Sequence, residues 1–126
     1  ILEYSAIAYF KKNKLIYFIN DNFKNSLIDN NANLENLTEV KNMKNMKDFK
    51  TFFLKITNED VFFSKIKVIN YVHDGRWDVV LKNGQLIKLG NYNLNKQVKY
   101  LNFILNNQTA KIIDLRYEGR VILANE

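Results

Sequence analysis

A chain of 126 residues, 47% hydrophobic and 25% charged, has the length and balance of one ordinary domain with a core of its own, not of a disordered tail. With no cysteine and a single histidine it can build neither a disulfide nor a zinc site, and no stretch approaches the ~20 apolar residues of a membrane span or reads as a signal peptide. The net charge of +6 would suit nucleic acid or anionic lipid, but the lysines run along the whole chain. Only Lys11, Lys12 and Lys14 cluster, and arginine, the better phosphate reader, stands only at positions 76, 116 and 120.

The chain opens on Ile1 rather than Met, as expected of a piece of a longer protein. Ala6-Ile7-Ala8-Tyr9-Phe10 and Leu15-Ile16-Tyr17-Phe18-Ile19 are strand formers, and Lys11-Lys12-Asn13-Lys14 between them reads as a hairpin turn. Asp21-Asn22 tolerates the left-handed backbone of a second turn, and Asn30, Asn31 and Asn33 mark a loop. From Thr38 to Ile56 the spacing of Val40, Met43, Met46, Phe49, Phe53 and Ile56 predicts an amphipathic helix. Thr38 is its expected N-cap, with a later start near Lys47 as the alternative, and Asn58-Glu59-Asp60 ends it.

Strands are expected at Lys65 to Val72, Arg76 to Lys82 and Gln85 to Leu89, joined at Asp74-Gly75 and Asn83-Gly84 into an antiparallel meander. A two-residue turn at Asn83-Gly84 would set Leu81 opposite Leu86, and Trp77, Val79 and Leu81 would share the core face. A second amphipathic helix runs from Asn93 to Asn106 with Leu94, Val98, Leu101 and Leu105 on one side. Strands at Lys111 to Tyr117 and Arg120 to Leu123 close the chain. The fold class is α+β: an antiparallel or mixed β-sheet with two amphipathic helices.

Catalytic chemistry finds few residues to use. His73 stands beside a turn, and Ser5, Ser26 and Ser64 lie in no nucleophile-elbow context. Glu59-Asp60 and Asp74 with Asp78 fit caps and turns better than an acid–base pair, and the four glycines form no phosphate loop. The expectation is therefore no catalytic residue, no metal and no cofactor. Trp77, mid-strand in an alternating pattern, reads as core and not as a stacking platform. The terminal Arg120-Val121-Ile122-Leu123 is apolar and β-favouring, which suits a sheet edge. Such an edge either is merely the last strand or takes up a partner strand by β-augmentation.

The run Arg76-Trp77-Asp78-Val79-Val80-Leu81-Lys82-Asn83-Gly84, with Leu86, Lys88 and Leu89-Gly90, resembles the "RWdlvLkNG…v.L" meander of a known family. A helix follows, then Ile113-Asp114-Leu115-Arg116-Tyr117, which is similar to that family's "vDLRy" motif, and Glu118-Gly119-Arg120-Val121 resembles the adjoining turn and last strand. The family is the bacterial cell-division protein FtsQ, called DivIB in Gram-positive bacteria. More loosely, Glu3 to Ala8 resembles the segment that ends its POTRA domain, Tyr17 to Asp21 its "yfvDe.G", and Leu34 to Thr38 its "LPxLtG". The family prolines near Ala6 and between Leu34 and Leu37 are absent, and Asn22-Phe23 stands where a turn glycine is common.

The resemblance implies that residues 1–8 are the tail of a POTRA domain or a connecting strand and that 9–126 form an FtsQ-type β-domain. It implies a non-enzymatic divisome scaffold in the inner membrane, single-pass through an upstream span, with this domain in the periplasm. The implied partners are FtsB and FtsL, bound at the final strand, the turn before it and nearby residues of the preceding helix. Carried over, the site residues are Arg116, Tyr117, Glu118, Gly119, Arg120, Val121, Ile122 and Leu123. The competing reading is a basic, aromatic-rich nucleic-acid-binding domain, which would need lysines and exposed aromatics gathered on one face.

Overall fold

A computed structural model describes residues 6–28, 33–57, 63–105 and 109–125. These form one nine-stranded mixed sheet and two long helices, an α+β fold as expected. The elements are β1 (Ala6–Lys12), β2 (Leu15–Asn20), β3 (Asn25–Leu27), β4 (Thr38–Lys41), α1 (Met46–Ile56), β5 (Ile66–His73), β6 (Arg76–Leu81), β7 (Leu86–Leu89), α2 (Leu94–Leu105), β8 (Ile112–Leu115) and β9 (Ile122–Ala124). The sheet order is β3-β2-β1-β4-β5-β6-β7-β8-β9, so β3 and β9 are its edges.

The first hairpin forms as expected with a tighter turn. Only Asn13 and Lys14 leave the strands, at φ 53° and 67°, the two left-handed residues of a type I′ turn, whose twist matches that of the strands. The next turn places its left-handed residue at Phe23, φ 61°, rather than at Asp21 or Asn22, and leads into β3, which the polar Asn25-Ser26-Leu27 gave no reason to expect. Phe23 is held there by its ring, which packs on Phe49 and Phe53 of α1. β1 runs through residue 8, where the domain boundary was expected, and Ala8 is buried in the sheet's core.

The helix expected from Thr38 is corrected. Residues 38–41 are β4, laid parallel between β1 and β5. Val40 is buried, and Thr38 is no N-cap: its hydroxyl donates to the Ile66 carbonyl at 3.1 Å. α1 begins at Met46 with Asn45 as N-cap, its side chain accepting from the Asp48 N–H at 2.8 Å, one residue from the alternative start. Met43 and Met46 had extended a helical spacing through a loop. The breaker Asn58-Glu59-Asp60, the loop residues Asn30 and Asn31, the helix end Asn106 and the start of the Glu3 to Ala8 segment lie outside the described residues.

The meander is present with its register shifted by one. Val80, not Leu81, lies opposite Leu86, because the turn has three residues: Leu81 N–H donates to the Gln85 carbonyl and Gly84 N–H to the Leu81 carbonyl, both at 2.9 Å. Gly84 at φ +93° takes the left-handed bulge position of such a loop. The alternation survives the shift, so Trp77, Val79 and Leu81 are all buried. Trp77 stacks on Phe52 at 5.0 Å and meets Tyr71 edge-on at 5.1 Å.

Both helices press apolar faces onto the same side of the sheet, where one core cluster joins Phe49, Phe52 and Ile56 to Val98, Leu101 and Ile104. A row of cross-strand neighbours runs through this core from Val40 to Ile69, Val79, Ile87 and Ile113. The opposite face of the sheet carries a parallel row: Lys41, Asn70, Asp78, Lys88 and Asp114.

Candidate partner-binding edge

β8 is shorter than expected and ends at Leu115, while β9 starts at Ile122 and runs to Ala124, so Arg120 and Val121 precede the strand. Between them lies a tight turn in which Arg120 N–H donates to the Tyr117 carbonyl at 3.1 Å. Gly119 at φ +77° supplies the conformation that a side chain would resist.

β9 pairs antiparallel with β8: Ile112 with Ala124, Ile113 with Leu123, Asp114 with Ile122. The direction of the backbone groups follows from the ladder on the other side of β8. Leu86 N–H donates to the Lys111 carbonyl at 2.8 Å, which in a parallel pair turns the N–H and C=O of Ile113 toward β7. Ile112 and Asp114 therefore face β9, and their partners Ala124 and Ile122 face back. Leu123 is left with its N–H and C=O pointing away from the sheet, at an edge no strand among the described residues covers.

The side chains follow the same alternation. Leu123 extends the core row, whose other members are 0–2% exposed, yet is itself 42% exposed. Ile122 extends the polar row of the opposite face and is 36% exposed.

The turn is built from charged and aromatic groups. The Asp114 carboxylate, itself buried, accepts from the Arg116 N–H at 3.0 Å, from its Nε at 2.9 and 3.1 Å and from its Nη2 at 2.7 Å. Those bonds from Arg116 outweigh burial and hold the Asp114 carboxyl below its ordinary value. Asp78, two strands away in the same row, shows the reverse balance: burial raises it in spite of Arg76 at 2.8 Å. The guanidinium groups of Arg116 and Arg120 lie 5.4 and 5.8 Å from the Tyr117 ring centre, so an exposed phenol has two cations within cation–π reach.

A cavity of about 140 Å³ opens between this turn and α2, lined by Tyr92, Lys96, Tyr100, Glu118, Arg120 and Val121 among others. Its helix side rests on Gln97, a buried amide that accepts from the Gly90 N–H at 2.8 Å and donates to the carbonyls of Gly90 and Tyr92 at 2.9 and 2.7 Å. The Tyr92 hydroxyl donates to the Leu115 carbonyl at 2.8 Å, where β8 ends.

All eight residues carried over by resemblance thus lie on one turn and strand, Arg116 half-buried and the others exposed. Tyr100 and Phe103 of α2, which are 53% and 70% exposed, are not among the residues that the sequence pattern singles out. The available signal was their place off the helix's apolar stripe, where a lysine or asparagine would be ordinary. His73 is the exposed last residue of β5, beside the turn and 3.2 Å from Asp74. Among the described residues no cluster of His, Cys, Asp or Glu is fit to hold a metal ion, and no helix is long and apolar enough to cross a membrane.

Residues 18–116 match a family model described as the cell-division protein FtsQ/DivIB, C-terminal. Among solved structures, the chain is similar to the major extracytoplasmic domain of the trans isomer of the cell-division protein DivIB from Geobacillus stearothermophilus. The TM-score is 0.56 at 11% identity, over 86% of this chain and 100% of that one; at that identity the likeness is one of fold. No curated protein matches the chain in sequence.

Proposed function

Because the chain belongs to the FtsQ/DivIB family of cell-division proteins, we propose that it is a non-enzymatic scaffold domain of the divisome that takes up a strand of an FtsB- or FtsL-type partner along β9. The full protein, on this reading, spans the inner membrane once, upstream of this domain, and holds it in the periplasm.

The observation that carries the reading is the way the core row ends. Val40, Ile69, Val79, Ile87 and Ile113 are 2% exposed or less. The row's last member, Leu123, is left half open beside its own unpaired backbone groups. A tenth strand would bond the N–H and C=O of Leu123 and cover its side chain, which is how β-augmentation joins main-chain affinity to side-chain selectivity. Tyr117, Val121 and the exposed aromatic ring of Tyr100 flank that line and offer apolar contact beyond the strand itself.

The test is titration of the chain with the periplasmic segments of FtsB and FtsL from the same organism. Binding is expected, and Tyr117→Ala should weaken it by about 2 kcal/mol, as for an aromatic hot spot, with an unchanged melting temperature because the ring is exposed. Failure of both segments to bind would overturn the proposal.

A further inference from the structure

The first hairpin carries charge that nothing in the scaffold reading uses. The ladder between β1 and β4 ends at Tyr9 and Glu39, so the last residues of β1 and the turn are not bonded to β4, whose end and following loop form the far wall of an open groove. This end of the hairpin holds Lys11, Lys12 and Lys14, all exposed, with Leu15 beside them, 41% exposed. Lys44, at the entry to α1, joins Lys11 and Lys12 along this groove of about 550 Å³, whose wall includes the stacked rings of Phe10 and Tyr17, 5.2 Å apart.

Among the described residues none of these four lysines forms a salt bridge. Nearby acids are engaged with other groups: Asp48 with the Asn45 cap at 3.2 Å and Glu39 with the Tyr9 hydroxyl at 3.5 Å. Six strand spacings separate β1 from β9 in the sheet, about 29 Å at ~4.8 Å each, so this is a second surface, separate from the partner edge.

We propose that this hairpin tip docks on an anionic lipid surface, with its lysines against phosphate headgroups and Leu15 entering the headgroup boundary. Three features favour a lipid surface over a soluble anion. The lysines flank an exposed turn and an open groove and do not converge into an enclosed pocket. They are lysines without arginine, point charges suited to a diffuse field of phosphates rather than to bidentate recognition of one. An exposed leucine stands among them, which a surface binder buries and a phosphate-binding pocket has no use for.

The experiment is co-sedimentation of the chain with vesicles of phosphatidylethanolamine containing phosphatidylglycerol, and with vesicles of phosphatidylcholine alone. Binding to the first and not the second is expected, weakening with salt. The triple substitution of Lys11, Lys12 and Lys14 to Gln should lower partitioning at least tenfold, since each lysine at an anionic surface contributes about fivefold. Leu15→Ser should lower it several-fold while leaving the salt dependence in place.

Net charge alone would attract the chain to such vesicles, so the exposed Lys65, Lys82 and Lys111 changed to Gln serve as a charge-matched control. Equal losses from the two triple variants would overturn the proposal in favour of diffuse attraction. Full competition by duplex DNA at equal phosphate concentration would overturn it in favour of nucleic acid, and no sedimentation with either vesicle would overturn it outright. The lysines lie in and beside an exposed turn, so melting temperatures should stay at the wild-type value.

Discussion

If a partner strand adds to β9, two adjacent proline substitutions should fail in opposite ways. Proline removes a backbone N–H and fixes φ. At Leu123 the N–H that disappears points out of the sheet, so the β8–β9 ladder keeps its bonds through Ile122 and Ala124. Only a bond to the incoming strand is lost. One such bond is worth about 0.5–1.5 kcal/mol, and leaving the partner carbonyl buried without a donor costs a further ~1–3 kcal/mol. Leu123→Pro should therefore weaken partner affinity by one to three decades at about 1.4 kcal/mol per decade, with a small change in melting temperature. At Ile122 the N–H is the one that bonds Asp114 in β8, and its loss removes a bond from a ladder only three residue pairs long. Ile122→Pro should melt several degrees lower, because each kcal/mol is worth about 3–6 °C in a domain of this size. Calorimetric titration with the partner segment, paired with thermal melts, separates the two effects. The reasoning is refuted if Leu123→Pro binds as well as wild type while folded, or if Ile122→Pro, melted no lower than wild type, is the variant that loses binding.

Three further outcomes follow from the packing. Trp77→Ala empties a site that is 4% exposed and touched by Phe49, Phe52 and Tyr71, so urea unfolding should show a loss of about 3–5 kcal/mol. Gly90→Ala would set a Cβ 2.5 Å from the Tyr92 ring and 2.8 Å from the Arg116 carbonyl. Since backbone cannot swing aside, a loss of about 1–3 kcal/mol is expected from overpacking, and an unchanged unfolding midpoint would contradict it. The Asp114 carboxyl is held below its ordinary value of 3.8, so its pairing stabilises the fold above that value and is lost as pH falls through the depressed one. Asp114→Asn should lower the melting temperature most at neutral pH and progressively less in acid, whereas Asp78, raised above 3.8, titrates in the opposite sense, and Asp78→Asn should not flatten the acid limb.

What the sequence made legible was local. The β1–β2 hairpin, the meander and α2 each announce themselves from adjoining residues, by alternation, by Asp74-Gly75 and Asn83-Gly84, or by a three-to-four spacing. What it concealed depends on distant pairing. Thr38 to Lys41 is strand because β1 and β5 stand on both sides of it, and neither neighbour is visible from the segment itself. Its buried Val40 happens to fall in helical step with Met43 and Met46. Asn83-Gly84 predicts a turn one residue too short because the same dipeptide serves a two-residue loop or a three-residue loop with a bulge; only the bonds of Leu81 decide between them.

The candidate site divides along the same line. The turn and the apolar terminal strand could be read from Gly119 and from Val121-Ile122-Leu123, and the resemblance assigned them a role. The support beneath them could not be read. Gln97 is one polar residue in a helix of many, yet it is buried and makes three hydrogen bonds to the backbone around Gly90 and Tyr92. Tyr92 in turn bonds Leu115 where β8 stops, and Gly90 lies against Arg116 with no room for a side chain. These contacts fix the end of β8 relative to α2 before the chain turns at Tyr117. The geometry a partner strand would meet thus rests on buried hydrogen bonds between helix and strand end, while the groups that would touch it are exposed. With the N–H and C=O of Leu123 already aligned outward, a strand adding to this edge would cost it little conformational entropy, which matters for a β9 of only three residues.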